Sequence, residues 1–252
     1  IEYIIALKKS NSKILPVSIK RSDSGYHSTN FNGNFASASA IRKLFSGKSV
    51  FTFNNIKETL STAIPNNSID LLESEYKKTY PILTNDFSSL IGKALIDCKY
   101  DILKINQLFD VTDDLANRIQ NLSVSYVNAD DFINTCNSTI FTSSRISRIL
   151  FYSLFNYTKE DYFSFKSDGY IYYFRVLGFN KYHNELLTKI KENSHIPLIT
   201  KISNSFSMLS ENGKRMLTLN MFADEIYRMI AMNKFNTIIP SEQQYGVIIK
   251  DD

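Results

Sequence analysis

Cysteine, glycine and proline are scarce in this chain, with 2, 8 and 5 residues among 252. Cys98 and Cys136 lie far apart with no companions at metal-ligand spacing. That excludes a disulfide framework and a zinc ribbon, and reads both as thiols of a reducing compartment. With so little glycine and proline there is no low-complexity tract, and no internal repeat is found. No apolar run reaches the roughly eighteen residues of a membrane span, so a cytoplasmic protein with no membrane partner is expected. Serine nucleophile elbows, H-E-x-x-H, Cys-x-x-Cys pairs, and Walker or dinucleotide glycine patterns are missing. His183 and His195 have no ligand-type neighbours, so no metal site is assigned.

What is present reads as a soluble globular chain. Apolar residues make up 43% and charged residues 21% of the sequence, enough core for one large or two ordinary domains. The net charge of +4 permits nucleic-acid binding without demanding it. Residue 1 is Ile, inside the helical pattern Ile1–Lys9, and no Met or targeting segment precedes it. The chain therefore reads as the C-terminal part of a longer protein.

The most informative stretch runs from Ile14 to Arg42. Ile14–Ile19 has β-branched residues in short alternation and predicts a strand ending in Lys20 and Arg21. A polar loop holding Gly25, Tyr26 and His27 follows, then Ala36-Ser37-Ala38-Ser39-Ala40-Ile41-Arg42, which predicts a helix start. Helix, strand and helix form one turn of an α/β unit, in which ligands bind at the carboxyl ends of strands. The first turn of a helix leaves about four N–H groups without intrahelical partners and carries the positive end of the dipole. Small residues let a phosphate approach, Ser37 and Ser39 can add hydroxyl donors, and Arg21 and Arg42 can add planar charged forks. The plainer alternative is an ordinary serine cap beside solvated arginines. His27 reads equally well as a nucleotide contact or as an exposed loop residue.

Beyond Phe51 the pattern becomes mainly helical. Helices are predicted near 56–63 and 67–78, broken at Pro65, and then over Asp86–Asp97, Ile102–Leu108, Asp113–Ser125, Ala129–Cys136, Ser143–Asn156, Tyr182–Asn193 and Ser207–Lys234, the last interrupted near Gly213. Tyr80–Leu83 and Ile196–Lys201 read as extended segments, and Arg175–Asn180 as a tight connection. Arg145 and Arg148, three residues apart, share a helix face and can straddle a nucleic-acid backbone, unless they are simply solvated. The Tyr/Phe-rich stretch Tyr157, Tyr162, Phe163, Phe165 and Tyr170 suits either base stacking or core packing.

Taken together, Ile1–Lys8, Ile19-Lys20-Arg21, Gly25-Tyr26-His27, Ala36–Arg42, Tyr80-Pro81-Ile82, Asp86-Phe87-Ser88, Arg145-Ile146-Ser147-Arg148, Arg175–Asn180, Pro197–Lys201 and Ala223–Tyr227 resemble the bacterial tRNA(Met) cytidine acetate ligases of the HxGH nucleotidyltransferase superfamily. The resemblance implies an α/β remnant of a Rossmann-like nucleotidyltransferase domain over 1–50, followed by a mainly α-helical, tRNA-binding domain over 51–252, mostly helical overall. It implies an enzyme that uses ATP, with Mg²⁺, to activate acetate as acetyl-adenylate, then acetylates the wobble cytidine of elongator tRNA(Met) to N4-acetylcytidine. Carried onto this sequence, it gives Arg42, Ser37 and Ser39 the catalytic phosphate contacts, Arg21, Lys20 and His27 the ATP, and Arg145, Arg148 and Lys201 the tRNA.

The sequence departs from that pattern in three places. The H-x-G-H motif is absent, so residues 1–252 alone are expected to be inactive. Ser39 stands where Thr is usual, keeping the hydroxyl, and Ser28 where an acidic residue is common. Thr139, Ile140 and Phe141 stand where basic residues are frequent. The alternatives are a tRNA-binding helical module without catalysis, or an adenylyltransferase for another small acceptor.

Overall fold

The computed structural model describes residues 1–20, 36–46, 52–101 and 103–250. These fall into two compact units, Ile1–Tyr76 and Lys77–Asp252.

The first unit contains α1 (Glu2–Lys9), α2 (Ala38–Phe45), α3 (Phe53–Ser61) and α4 (Asn66–Glu75). Phe53, Ile56 and Leu60 recur at helical spacing on α3 and meet Ile69 of α4, with Ile41, Leu44 and Phe45 of α2 packed against them. Burying a side chain such as Leu60 contributes about 1.5–3 kcal/mol. Pro65 caps the start of α4, and Lys57 reaches across to Glu73 at 2.5 Å. Helices α3 and α4, assigned by pattern to the helical domain, thus share a core with α2. Helix α1 buries none of its residues.

The strand expected at Ile14–Ile19 is absent: residues 13–20 are irregular, and Leu15, Val17 and Ile19 are exposed. Alternation of β-branched residues is not sufficient for a strand, whose N–H and C=O groups need a neighbour. Among the described residues no strand pairs with this segment, and Pro16 removes one donor.

The second unit is built on α5 (Ser88–Lys99), α6 (Asp113–Ser123), α7 (Ala129–Cys136) and α8 (Ser143–Phe155). Ile91 and Leu95 of α5, Leu115 and Ile119 of α6, Phe132 of α7, and Ile146, Ile149 and Leu150 of α8 form one core, closed by Ile226 and Ile230. Those last two belong to α11 (Glu211–Phe235), which follows α9 (Lys159–Ser167) and α10 (Asn184–Asn193). Ile199, Ile202, Leu209 and Leu217 form a smaller core, and the unit also holds two parallel strand pairs. These pair β1 (Phe174–Arg175) with β3 (Leu198–Ile199), and β2 (Gly178–Asn180) with β4 (Ile248–Lys250). A Cβ on Gly178 would lie 3.1 Å from the Ile248 carbonyl oxygen, so a larger residue there would push β4 back by a few tenths of an ångström.

Three further expectations need correction. Ile102–Leu108 is not an α-helix: Ile105–Gln107 makes one tight 3₁₀ turn that drops Ile105 and Leu108 into the core. Helix α11 runs unbroken through Gly213, because the Ser210 hydroxyl caps the Gly213 N–H at 3.2 Å and places the glycine in the first turn. Arg175–Asn180 is not a simple connection but supplies β1 and β2. The chain is mostly helical, as expected. Among the described residues no helix is long and apolar enough to cross a membrane.

Candidate functional site

Helix α2 begins where a hydroxyl residue meets small neighbours. Ser37 is extended, with φ −71° and ψ 153°, and its Oγ accepts from the Ala40 N–H at 3.0 Å. Ser37 and Ala40 are each only 1% exposed, so the cap is held from below by packing. The Ser37 carbonyl accepts from the Ile41 N–H at 3.1 Å. The N–H groups of Ala38 and Ser39 have no acceptor among the described residues. The first turn of α2 holds no acidic residue to offset the positive end of the dipole. One turn on, Arg42 is exposed and its Nη2 donates to the Ser39 Oγ at 3.5 Å.

The structure thus gathers Ser37, Ser39 and Arg42 at one helix start. Two backbone donors, one half-buried hydroxyl and one permanent cation make a donor-rich surface that fits a phosphate group. Lys20 is exposed in the irregular segment after Ile19. Arg21 and His27, with Gly25 and Tyr26, lie outside the described residues.

In the second unit, Thr142 caps α8 and the next turn carries Arg145 and Arg148. Both turn toward Asp110: Arg145 Nη2 donates to its backbone oxygen at 2.7 Å and lies 3.2 Å from its Oδ1, while Arg148 Nη2 lies 3.4 Å from its Oδ2. They are neither simply solvated nor both free. Sequence reasoning missed Asp110, which stands 35 positions before Arg145 in no recognisable motif. Lys201, after β3, is exposed and has no ion pair among the described residues.

The aromatic stretch packs against itself. Tyr162 stacks on Phe109 with centroids 3.9 Å apart, Phe165 is 2% exposed, and Phe163 stays at the surface. Tyr157, Phe165 and Tyr170 help line a cleft of about 360 Å³ with Tyr152 and Phe155. Asp161, beside them, is opposed by burial but held below the usual carboxylate range by Arg215 at 2.8 Å and by the Thr158 N–H and hydroxyl. Burial pushes the Cys98 and Cys136 thiols up to about 11, so neither is a nucleophile at neutral pH. Among the described residues no group of three or more His, Cys, Asp or Glu could hold a metal ion.

Residues 1–241 match the family described as HIGH Nucleotidyl Transferase. The tRNA(Met) cytidine acetate ligase of a Thermoanaerobacter species is 36% identical over 234 residues, covering 92% of this chain and 54% of the relative. That of Acetivibrio thermocellus is 31% identical over 238 residues, covering 92% and 55%. This chain therefore spans about half the length of the curated relatives it matches. Among solved structures, apo Thermotoga maritima TmcAL superposes with a TM-score of 0.83 at 21% identity, covering 100% of this chain and 59% of that one. The same protein bound with alpha-thio ATP gives 0.80 at 20% identity, covering 100% and 58%. At these identities the structures establish a shared fold.

Proposed function

The chain belongs to the HIGH nucleotidyl transferase family, and from that premise we propose that it is part of an ATP-dependent tRNA(Met) cytidine acetate ligase. The observation that carries this reading is the start of α2, where the Ala38 and Ser39 N–H groups, the Ser39 hydroxyl and the Arg42 guanidinium lie together and the first turn holds no acidic residue. The relatives, which are tRNA(Met) cytidine acetate ligases, support the reaction, and the alpha-thio ATP complex of the T. maritima protein supports the nucleotide.

In this reading ATP and acetate are substrates. A carboxylate oxygen of acetate attacks the α-phosphorus, the bond to the departing pyrophosphate breaks, and acetyl-adenylate forms. The N4 amine of the wobble cytidine then attacks the acyl carbon, AMP leaves with the bonding electron pair, and the amine loses a proton. What this chain supplies is fixed positive charge where negative charge develops. The first-turn donors of α2 hold phosphate oxygens, and Arg42 stabilises the leaving pyrophosphate. Preorganised donors of this kind contribute the largest share of stabilisation in such transfers. Mg²⁺ enters on the nucleotide phosphates, and Arg21, Lys20 and His27 complete the ATP contacts. The second unit, from Lys77 onward, carries the tRNA, with Arg148 and Lys201 exposed at its surface and Arg145 partly buried against Asp110.

The test is acetate-dependent ATP–pyrophosphate exchange by the full-length protein without tRNA. Exchange that requires acetate is expected. Its absence, with nucleotide binding intact, overturns the ligase reading.

A further inference from the structure

The two arginines of α8 look equivalent in sequence, but Asp110 divides them. Asp110 sits in the left-handed region, with φ 62°, in the link between the Ile105–Gln107 turn and α6. It gives Arg145 two oxygens, the backbone carbonyl at 2.7 Å and Oδ1 at 3.2 Å. The Arg145 side chain is 23% exposed, its Nε is buried without an acceptor, and its guanidinium lies 5.8 Å from the Phe141 ring centre. Arg148 receives a single oxygen at 3.4 Å and its side chain is 54% exposed. Charge-assisted bonds of this type settle near 2.7–2.9 Å, so the Arg148 contact is loose.

The charges are also unbalanced. Two guanidiniums face one carboxylate, which leaves one net positive charge. Arg145 lies in the first turn of α8, which holds no acidic residue and where the dipole adds positive potential, and Arg148 lies one turn further on.

Building on the tRNA-binding reading of the helical domain, we infer that Asp110 is a positioning residue. It anchors Arg145 as part of the fold and holds Arg148 loosely in the place of an RNA phosphate. The bound RNA exchanges a phosphate oxygen for Asp110 Oδ2 on Arg148, while Arg145 stays on the Asp110 carbonyl. Arg148 is thus the phosphate contact, Arg145 its support, and the Asp110 carboxylate a competitor that weakens non-specific anion binding.

The test measures the affinity of the full-length protein for a transcript of elongator tRNA(Met) across a salt series. Asp110→Asn keeps a residue type that tolerates positive φ and removes only the charge. It is expected to bind about two- to fivefold tighter, the scale of an exposed ion pair, with a steeper salt slope. Arg148→Ala is expected to weaken binding and reduce the log–log salt slope by about 0.7–0.9, one phosphate. Arg145→Ala is expected to lower the melting temperature. If Arg148→Ala changes neither affinity nor slope, the arginine face does not bind RNA and the underlying reading fails. If Arg148→Ala weakens binding while Asp110→Asn leaves it unchanged or weaker, that reading stands and the role given to Asp110 is wrong.

Discussion

The arginines of the two units keep different company. In the first unit Arg42 is exposed and meets only the Ser39 hydroxyl, at 3.5 Å, among the described residues. In the second unit Arg118 donates to the carbonyls of Thr135, Cys136 and Asn137, closing the end of α7. Arg215 binds both carboxylate oxygens of Asp161, and Arg228 pairs with Glu225 while reaching the Ile239 carbonyl. A guanidinium already satisfied by the fold stabilises the fold, and one left at a helix start is available to a ligand. The contrast separates residues that resemble each other in sequence.

Substitutions can break that contrast or sharpen it. The largest effect is expected at Arg42. In the full-length protein Arg42→Ala should lower acetate-dependent ATP–pyrophosphate exchange by about 10²-fold or more, as loss of a preorganised donor does, while tRNA affinity and melting temperature stay near wild type. A lowered melting temperature would place Arg42 with the structural arginines instead. In the second unit, Ile146→Ala removes a fully buried side chain from the main core and should cost about 2–5 kcal/mol in denaturant unfolding. A cost well below that range would mean the core repacks around the gap.

The Arg215–Asp161 pair should report through pH. The Asp161 carboxyl is depressed in the fold. Its stabilisation is therefore complete above the unfolded carboxylate range, near pH 4, and is lost as pH falls through the lower folded value. Arg215→Met should flatten the acid limb of stability below about pH 4 relative to wild type. An identical acid limb in the variant would show that the pair contributes nothing. The smallest effect is expected at the α2 cap. Ser37→Ala should cost about 0.5–2 kcal/mol, and Ser37→Thr should recover most of it. A full loss of exchange activity with unchanged stability would make Ser37 a phosphate contact rather than a cap.

Local chemistry was legible where it decided the outcome. The span expected for Ala129–Cys136 is the helix found, whose start the Asn128 side chain caps by accepting from the Asp131 N–H at 3.0 Å, and the α2 start was legible in Ser37 and the small residues after it. Other features depend on partners distant in sequence. Ile14–Ile19 has the composition of a strand but no neighbour among the described residues. Phe174–Arg175 and Leu198–Ile199 are too short to show a period and are defined only by pairing with each other. Asp110 was invisible because its importance lies in its backbone conformation and in two arginines more than thirty positions away. The aromatic stretch concealed α9, whose helix is set by the Thr158–Asp161 capping box rather than by an apolar stripe.

The most direct measurement is mass spectrometry of elongator tRNA(Met) after incubation of the full-length protein with ATP and isotopically labelled acetate. The account predicts N4-acetylcytidine at the wobble position carrying the acetate label, formed only when ATP is present and lost in Arg42→Ala. Tight tRNA binding with no labelled cytidine would contradict it and identify the helical domain as a binding module without the ligase chemistry.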